Sequence, residues 1–363
     1  MRALSLSLIG VLLLATPAYA DITLGLVAPI TGPVATIGEQ MTYGAEQAVS
    51  DINAAGGING GKLFLKKEDD ACDPKQAVTV ASQMINGDVK FIVGHACSGT
   101  SITASKIYSE ENILMMTPTS TQPALTEAGL TNVFRICGRD DQESVAQIGY
   151  IQKHFPNKKI AIIYDSSAGQ RSIADQVKKD LNAVGIKEVL FEQYTTGEKD
   201  FLSLITKLKQ NGVQVLDIAG FYVEAGLIIR QIKEQGLNIQ VIGDDALATQ
   251  ELWSITGPAA EGLLMSFQPD VTKRPEAIAV VAAMRKAGHE PESYALYSYA
   301  AVQAYAAAFR QVGTDPLKVA KALRETPEQT VVGNIVFNSK GDVADSHYVM
   351  YRWHNGTYAE IGH

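Results

Sequence analysis

The chain has 363 residues, with 31 Lys and Arg against 39 Asp and Glu, a formal net charge of −8. An acidic chain without clustered basic residues excludes a nucleic-acid backbone as partner. Three cysteines with no C-x-x-C pair give no support to zinc or thioredoxin chemistry.

Residues 1–20 have the pattern of a secretory leader: Arg2, an apolar run from Leu4 to Ala15, and Ala18-Tyr19-Ala20 as a small-x-small cleavage site. The expectation is a soluble periplasmic protein starting at Asp21, with no later membrane span. Removing Arg2 with the leader takes the charge from −8 to −9 and leaves 343 residues, which predicts two domains.

From Asp21 onward, short apolar runs alternate with helical periodicity. Strands are predicted at 21–28, 62–67, 91–94, 113–116, 133–135, 160–164, 189–194, 213–218 and 239–243. Helices are predicted at 39–55, 74–86, 102–110, 141–155, 172–184, 201–210 and 223–235. This β-α-β-α order implies parallel sheets with right-handed crossovers. Three helices follow, at 275–286, 293–311 and 316–324. Strand-like segments at 334–337 and 348–353 are expected to return to the sheets.

Phe91 to Thr121 is the stretch that suggests a function. Two predicted strands there each end in a hydroxyl-rich turn, His95 to Ser101 and Thr117 to Thr121. In open parallel sheets, ligands bind beyond the carboxyl ends of strands, where helix N-termini attract anions. Ser98, Thr119 and Thr121 could therefore hold a small carboxylate, although hydroxyls also cap helices and close turns. Cys72 and Cys97 each follow a strand of one βαβ unit, so an exported protein should join them and leave Cys137 as a buried thiol.

Catalytic motifs fail. Gly56, Gly61 and Lys62 have the spacing of a phosphate loop, but Leu63 follows and the glycines come after a helix. There is no G-x-S-x-G elbow. His95 lies near Cys97 without an evident third group to orient it. The histidines have no metal-ligand spacing. The expectation is a non-enzyme with no metal or cofactor.

Several runs carry a family resemblance: Gly44 to Val49, Asp51 to Ala54, Gly56 to Ile58, Asp69 to Ala77, Gly94 to Ser98, Thr117-Pro118, Gly197 to Phe201, and Glu261 to Leu264. Together they resemble the periplasmic leucine/isoleucine/valine-binding proteins of ABC transporters, over essentially the whole mature chain. The resemblance implies an α/β, two-lobed, type I periplasmic binding protein fold. Each lobe would be a mainly parallel sheet flanked by helices, with three interlobe crossings. The lobes would be 21–140 plus 269–348, and 141–268 plus 349–363. It also implies a Cys72–Cys97 disulfide, monomeric behaviour and an inner-membrane ABC permease as partner.

By the same resemblance, the Ser98 hydroxyl and N–H and Thr121 take the carboxylate of an amino-acid ligand. The Thr119 carbonyl, Thr121 and Asp245 take its ammonium, and Phe221 adds an aromatic. Ile37, Ala96, Cys97, Gly169 and Tyr294 surround the ligand side chain. Ile37, Ala96 and Gly169 are smaller than the family residues at those places, so an apolar ligand, branched-chain or larger and aromatic, is expected. Alternatives are amides, urea or aromatic acids on the same fold, or a sensor domain with a separate signalling partner.

Overall fold

The computed structural model describes residues 20–292 and 294–362, so the expected leader up to residue 19 lies outside the described residues. The first sheet contains β1 (Ile22–Ala28), β2 (Leu63–Asp69), β3 (Phe91–Gly94), β4 (Leu114–Thr117) and β5 (Val133–Arg135). Its strands run parallel in the order β2-β1-β3-β4-β5. The connecting helices are α1 (Ala35–Ala54), α2 (Pro74–Asn86), α3 (Ser98–Glu110) and the short α4 (Ala124–Glu127). Strands β3, β4 and β5 are buried along their length, as apolar runs in a parallel sheet covered on both faces should be.

The chain then passes through α5 (Asp140–His154) into β6 (Ile160–Tyr164), α6 (Ala168–Ala183), β7 (Leu190–Gln193), α7 (Leu202–Asn211) and β8 (Val215–Ala219). It continues through α8 (Tyr222–Glu234), β9 (Gln240–Gly243), α9 (Gln250–Thr256) and β10 (Leu264–Phe267). These strands pair in parallel as β7-β6-β8-β9-β10, repeating the strand order of the first sheet. A second passage leads to α10 (Ile278–Lys286), α11 (Ala295–Val312), α12 (Pro316–Glu325) and the pair β11 (Glu328–Thr330) and β12 (Gly333–Ile335). A third leads back to β13 (Val349–His354) and β14 (Thr357–Glu360) at the edge of the second sheet.

Helix α11 packs along α1. Gly44 permits that approach, since a Cβ there would lie 2.0 Å from the Ala295 carbonyl oxygen. Gly94 is needed for a different reason. It ends β3 at φ +131°, and a Cβ would lie 2.1 Å from the Val27 carbonyl oxygen.

Arg135 is buried where the chain leaves the first sheet. Its Nε and Nη2 donate to Asp342 at 2.8 and 2.6 Å, and its Nη1 donates to the carbonyls of Ser120 and Gln122. One guanidinium thus ties the end of β5 to the third passage and to the turn carrying Thr121. Removing one partner of such a buried pair typically costs about 3–5 kcal/mol.

Several boundaries differ from the sequence expectation. Helices α1, α3 and α6 each start four residues earlier, inside Gly-, Ser- and Ala-rich segments that lack an apolar stripe. The segment at 334–337 does not join a main sheet: β12 pairs with β11 in a separate antiparallel ribbon. The second sheet is not wholly parallel, because β13 pairs antiparallel with β10, and β14 with β13.

Candidate functional site

The sheets present their carboxyl ends to a common cleft with about 510 Å³ of empty space, its open mouth included. From the first sheet's side come Ile37, Ala96, Cys97, Ser98, Thr119 and Thr121, with Tyr294 at the head of α11. From the second come Gly169, Phe221 and Asp245. The ten residues expected to surround a ligand therefore line one cavity. It lies beyond the ends of β3, β4, β6, β8 and β9, the position expected for open parallel sheets.

The two hydroxyl-rich turns brace each other. Thr117 Oγ1 donates to the His95 carbonyl at 2.7 Å. Thr119 Oγ1 and Ser120 Oγ donate to the Ala96 carbonyl at 2.6 and 2.8 Å. The Thr119 hydroxyl therefore has a structural partner, which leaves its backbone carbonyl as the group for a ligand. Ser98 is the first residue of α3, and its N-cap, Cys97, supplies no side-chain acceptor. The first N–H groups of that helix are oriented to accept an anion. Gln122 N–H donates to Ser98 Oγ at 3.3 Å, which ties the helix start to the second turn.

Cys72 and Cys97 form a disulfide with a Cα–Cα distance of 5.6 Å, and Cys137 is a buried free thiol. His95 does have an orienting group: its Nδ1 is 2.7 Å from Asp70 Oδ2, and its Nε2 is 3.1 Å from the Tyr108 hydroxyl. The ring is wholly buried, and the neighbouring Cys97 sulfur is committed to the disulfide, so the two do not make a nucleophile and base. Among the described residues, no group of His, Cys, Asp and Glu is arranged to hold a metal.

The opposite wall is acidic. Asp140, Glu143, Asp244 and Asp245 all line the cavity, each no more than 8% exposed, and no Lys, Arg or His lines it with them. Tyr294 donates its hydroxyl hydrogen bond to Asp245 Oδ2, and Glu143 Oε1 accepts the Asp245 N–H at 2.8 Å. Burial pushes the Asp245 carboxyl up to about 7, against the lowering effect of the Tyr294 bond. Glu143 and Asp244 are also raised well above the ordinary carboxylate range, by burial first and then by Asp245. Both Asp140 oxygens and Asp244 Oδ2 are buried without a close hydrogen-bond partner. Such a wall is electrostatically prepared for a cation.

Sequence reading missed Asp140, Glu143, Asp244, Gln170, Ile173 and Ala246 as lining residues. Asp244 and Ala246 flank Asp245, so the strand end itself was the available signal. Gln170 and Ile173 follow Gly169 on α6 and would have emerged had the helix start been read correctly. Asp140 and Glu143 have no local signal, because the path of α5 places them there.

Residues 21–357 match the family of periplasmic binding proteins. The chain belongs to that family. Its periplasmic binding protein relatives include Leu/Ile/Val-binding protein homolog 1 of Brucella suis biovar 1 (strain 1330). That protein is 48% identical over 341 residues, which are 93% of this chain and 92% of the relative. An ABC transporter substrate-binding protein from Desulfitobacterium hafniense, solved in complex with Leu, matches with a TM-score of 0.78 and 27% identity, covering 94% of this chain and 100% of the other. An ABC transporter solute-binding protein from R. palustris, solved in complex with benzoate, has the same fold: TM-score 0.85, 20% identity, 94% of this chain and 96% of the other. This periplasmic binding protein thus has the type I architecture of two lobes, each built on a mainly parallel sheet, joined by three passages of chain.

Proposed function

We propose that this protein is the soluble substrate-binding component of an ABC importer and captures an apolar α-amino acid, branched-chain or larger and aromatic, by closure of the cleft. It acts as a monomer in the periplasm, makes no covalent change to its ligand, and delivers it to an inner-membrane permease. The lobes are residues 21–140 plus 269–348, and 141–268 plus 349–363. The naming of its relatives as Leu/Ile/Val-binding proteins supports this reading.

The observation that carries it is the polarity of the cleft. An uncapped helix start and the Ser98 hydroxyl face four buried acids, with no cationic side chain lining the cavity. A zwitterion matches both ends: its carboxylate takes the α3 N–H groups, Ser98 and Thr121, and its ammonium takes Asp245 and the Thr119 carbonyl. Burying either charge unpaired would cost several kcal/mol, roughly, so the match decides which ligands enter. An aromatic acid such as benzoate has no group for the acidic wall.

A thermal-shift screen of amino acids, aromatic acids, amides and urea tests the proposal. A ligand bound only by the folded state raises the melting temperature, by a free energy of about 2.7 kcal/mol at a hundredfold excess over Kd. Apolar amino acids should stabilise the protein and benzoate should not. The reverse pattern would contradict the proposal.

A further inference from the structure

We infer that a second cavity, meeting the main site at Gly169 and lined by Glu224, is a side-chain subsite for amino acids whose long side chains end in an amine or guanidinium. The inference rests on the amino-acid reading of the main site and extends its substrate class.

The cavity lies between the two sheets and contains about 930 Å³ of empty space, its mouth included. Cys97, Ser98, Gly169 and Phe221 line both this cavity and the main site. The two cavities therefore adjoin there, and a ligand side chain passing between those residues would enter the second cavity. Its first walls are apolar: Val34, Pro74, Phe221 and the Cys72–Cys97 disulfide suit a methylene chain.

Gly169 is in the first turn of α6, and its backbone is not in the left-handed region that favours glycine. A Cβ there would make only ordinary contact, 3.5 Å from Ser98 Cβ and Oγ. Neither conformation nor packing requires glycine, and glycine is a poor helix former. A larger side chain there would stand in the wall that the two cavities share.

Glu224 supplies the terminal group. Among the described residues it is the only charged one lining the second cavity, and it is 2% exposed. One carboxylate oxygen, Oε1, accepts the Gly197 N–H at 2.7 Å, while Oε2 has no hydrogen-bond partner. No Lys, Arg or His forms an ion pair with it among the described residues. A buried carboxylate with one unmatched oxygen is costly. A cation delivered on a ligand side chain would compensate it, and the Thr196 and Ser166 hydroxyls, which line the same cavity and meet at 3.0 Å, could accept remaining N–H donors.

Calorimetry on the purified protein with L-lysine, L-norleucine and L-leucine tests the assignment, because norleucine is lysine without its terminal amine. Wild type should bind lysine at least as tightly as norleucine. Glu224→Gln keeps an acceptor for the Gly197 N–H, so the fold should persist. It should weaken lysine by about tenfold or more, the loss of a charged hydrogen bond, and leave norleucine within about threefold. Gly169→Leu should weaken lysine by about tenfold more than leucine. Leucine binding without lysine binding, or a Glu224→Gln effect equal for lysine and norleucine, would overturn the subsite alone. If no α-amino acid binds, the amino-acid reading and the subsite fall together.

Discussion

Tyr294, at the head of the helix that packs on α1, donates a hydrogen bond to Asp245, at the end of a strand in the second sheet. The bond spans the cleft, so the carboxyl proposed for the ligand ammonium is held from the opposite side. Tyr348 also reaches Asp245 Oδ2, at 3.4 Å. Asp245→Ala should leave a folded protein that has lost useful affinity. An unpaired buried ammonium costs about 3–5 kcal/mol, or roughly 10²–10³-fold or more in Kd. Asp245→Asn should lose affinity too while raising the melting temperature, since it removes a buried charge but keeps an acceptor for Tyr294. Calorimetry and thermal melts on both variants check this. Affinity within about threefold of wild type would contradict the role.

Stability and binding should respond to pH in opposite directions. The carboxyls of Asp217 and Asp245 are pushed up to about 7 in the fold by burial, while an unfolded Asp titrates near 3.8. Asp140, Glu143, Asp165 and Asp244 are raised as well, with burial the leading cause. The folded state therefore holds more protons than the unfolded state between about pH 4 and 7, and stability falls as pH rises through that window. Groups lowered in the fold, such as Asp70 and Asp342, lose their contribution only as pH falls below the ordinary carboxylate range. The ligand-free protein should melt higher at pH 5 than at pH 7.5. Affinity should move the other way, because the ammonium needs the ionised form of Asp245, with a limit of roughly tenfold per pH unit below 7 for one proton. Melts and titrations at both pH values read the two slopes.

The central stretch was legible because it joins two independent signals, buried strands and hydroxyl-rich turns at their ends. Ser98, Thr119 and Thr121 come from that stretch. Asp245 and the pocket residues were reached through the family resemblance, and the cavity contains them all. What stayed hidden depends on three-dimensional packing. Glu143 reaches the site because α5 passes over the ends of β9 and β10, where its Oε1 accepts from Asp245 N–H and Ser266 Oγ. Nothing in the local sequence of α5 carries that information. The α6 start was hidden for a local reason: Ala168-Gly169-Gln170 has no apolar period, and the helix is set by the Ser167 cap and by tertiary contact.

The disulfide should matter for stability and for the site together. It closes a separation of 25 residues, worth about 3 kcal/mol in the chain-entropy model, and Cys97 lines the cavity beside Ser98. A Cys72→Ser, Cys97→Ser variant should lose about that much unfolding free energy, unfold at lower denaturant and bind more weakly. Peptide mapping of the oxidised wild type should find Cys137 unpaired. Denaturant midpoints unchanged from wild type would contradict the stabilising role.

Side-chain preference should follow the small residues around the main site. Ile37, Ala96 and Gly169 leave room, so valine would leave a void whose lining loses dispersion contacts. Each further buried methylene is worth about 0.8 kcal/mol. Phenylalanine should bind at least as well as leucine, and valine worst. Ala96→Leu should move the order back toward smaller ligands. Competition among the three amino acids measures it, and valine binding tighter than phenylalanine would contradict the enlarged pocket.

The most direct test of the central claim is a pair of titrations on the purified wild-type protein at pH 7.5, with L-leucine and with 4-methylpentanoate, which is leucine without its amine. The polarity of the cleft predicts that leucine binds and that loss of the ammonium weakens binding by about 10²-fold or more, because Asp245 is left without its cation. Equal affinity for the two, or tighter binding of the deaminated acid, would contradict the reading of this cleft as an α-amino acid site.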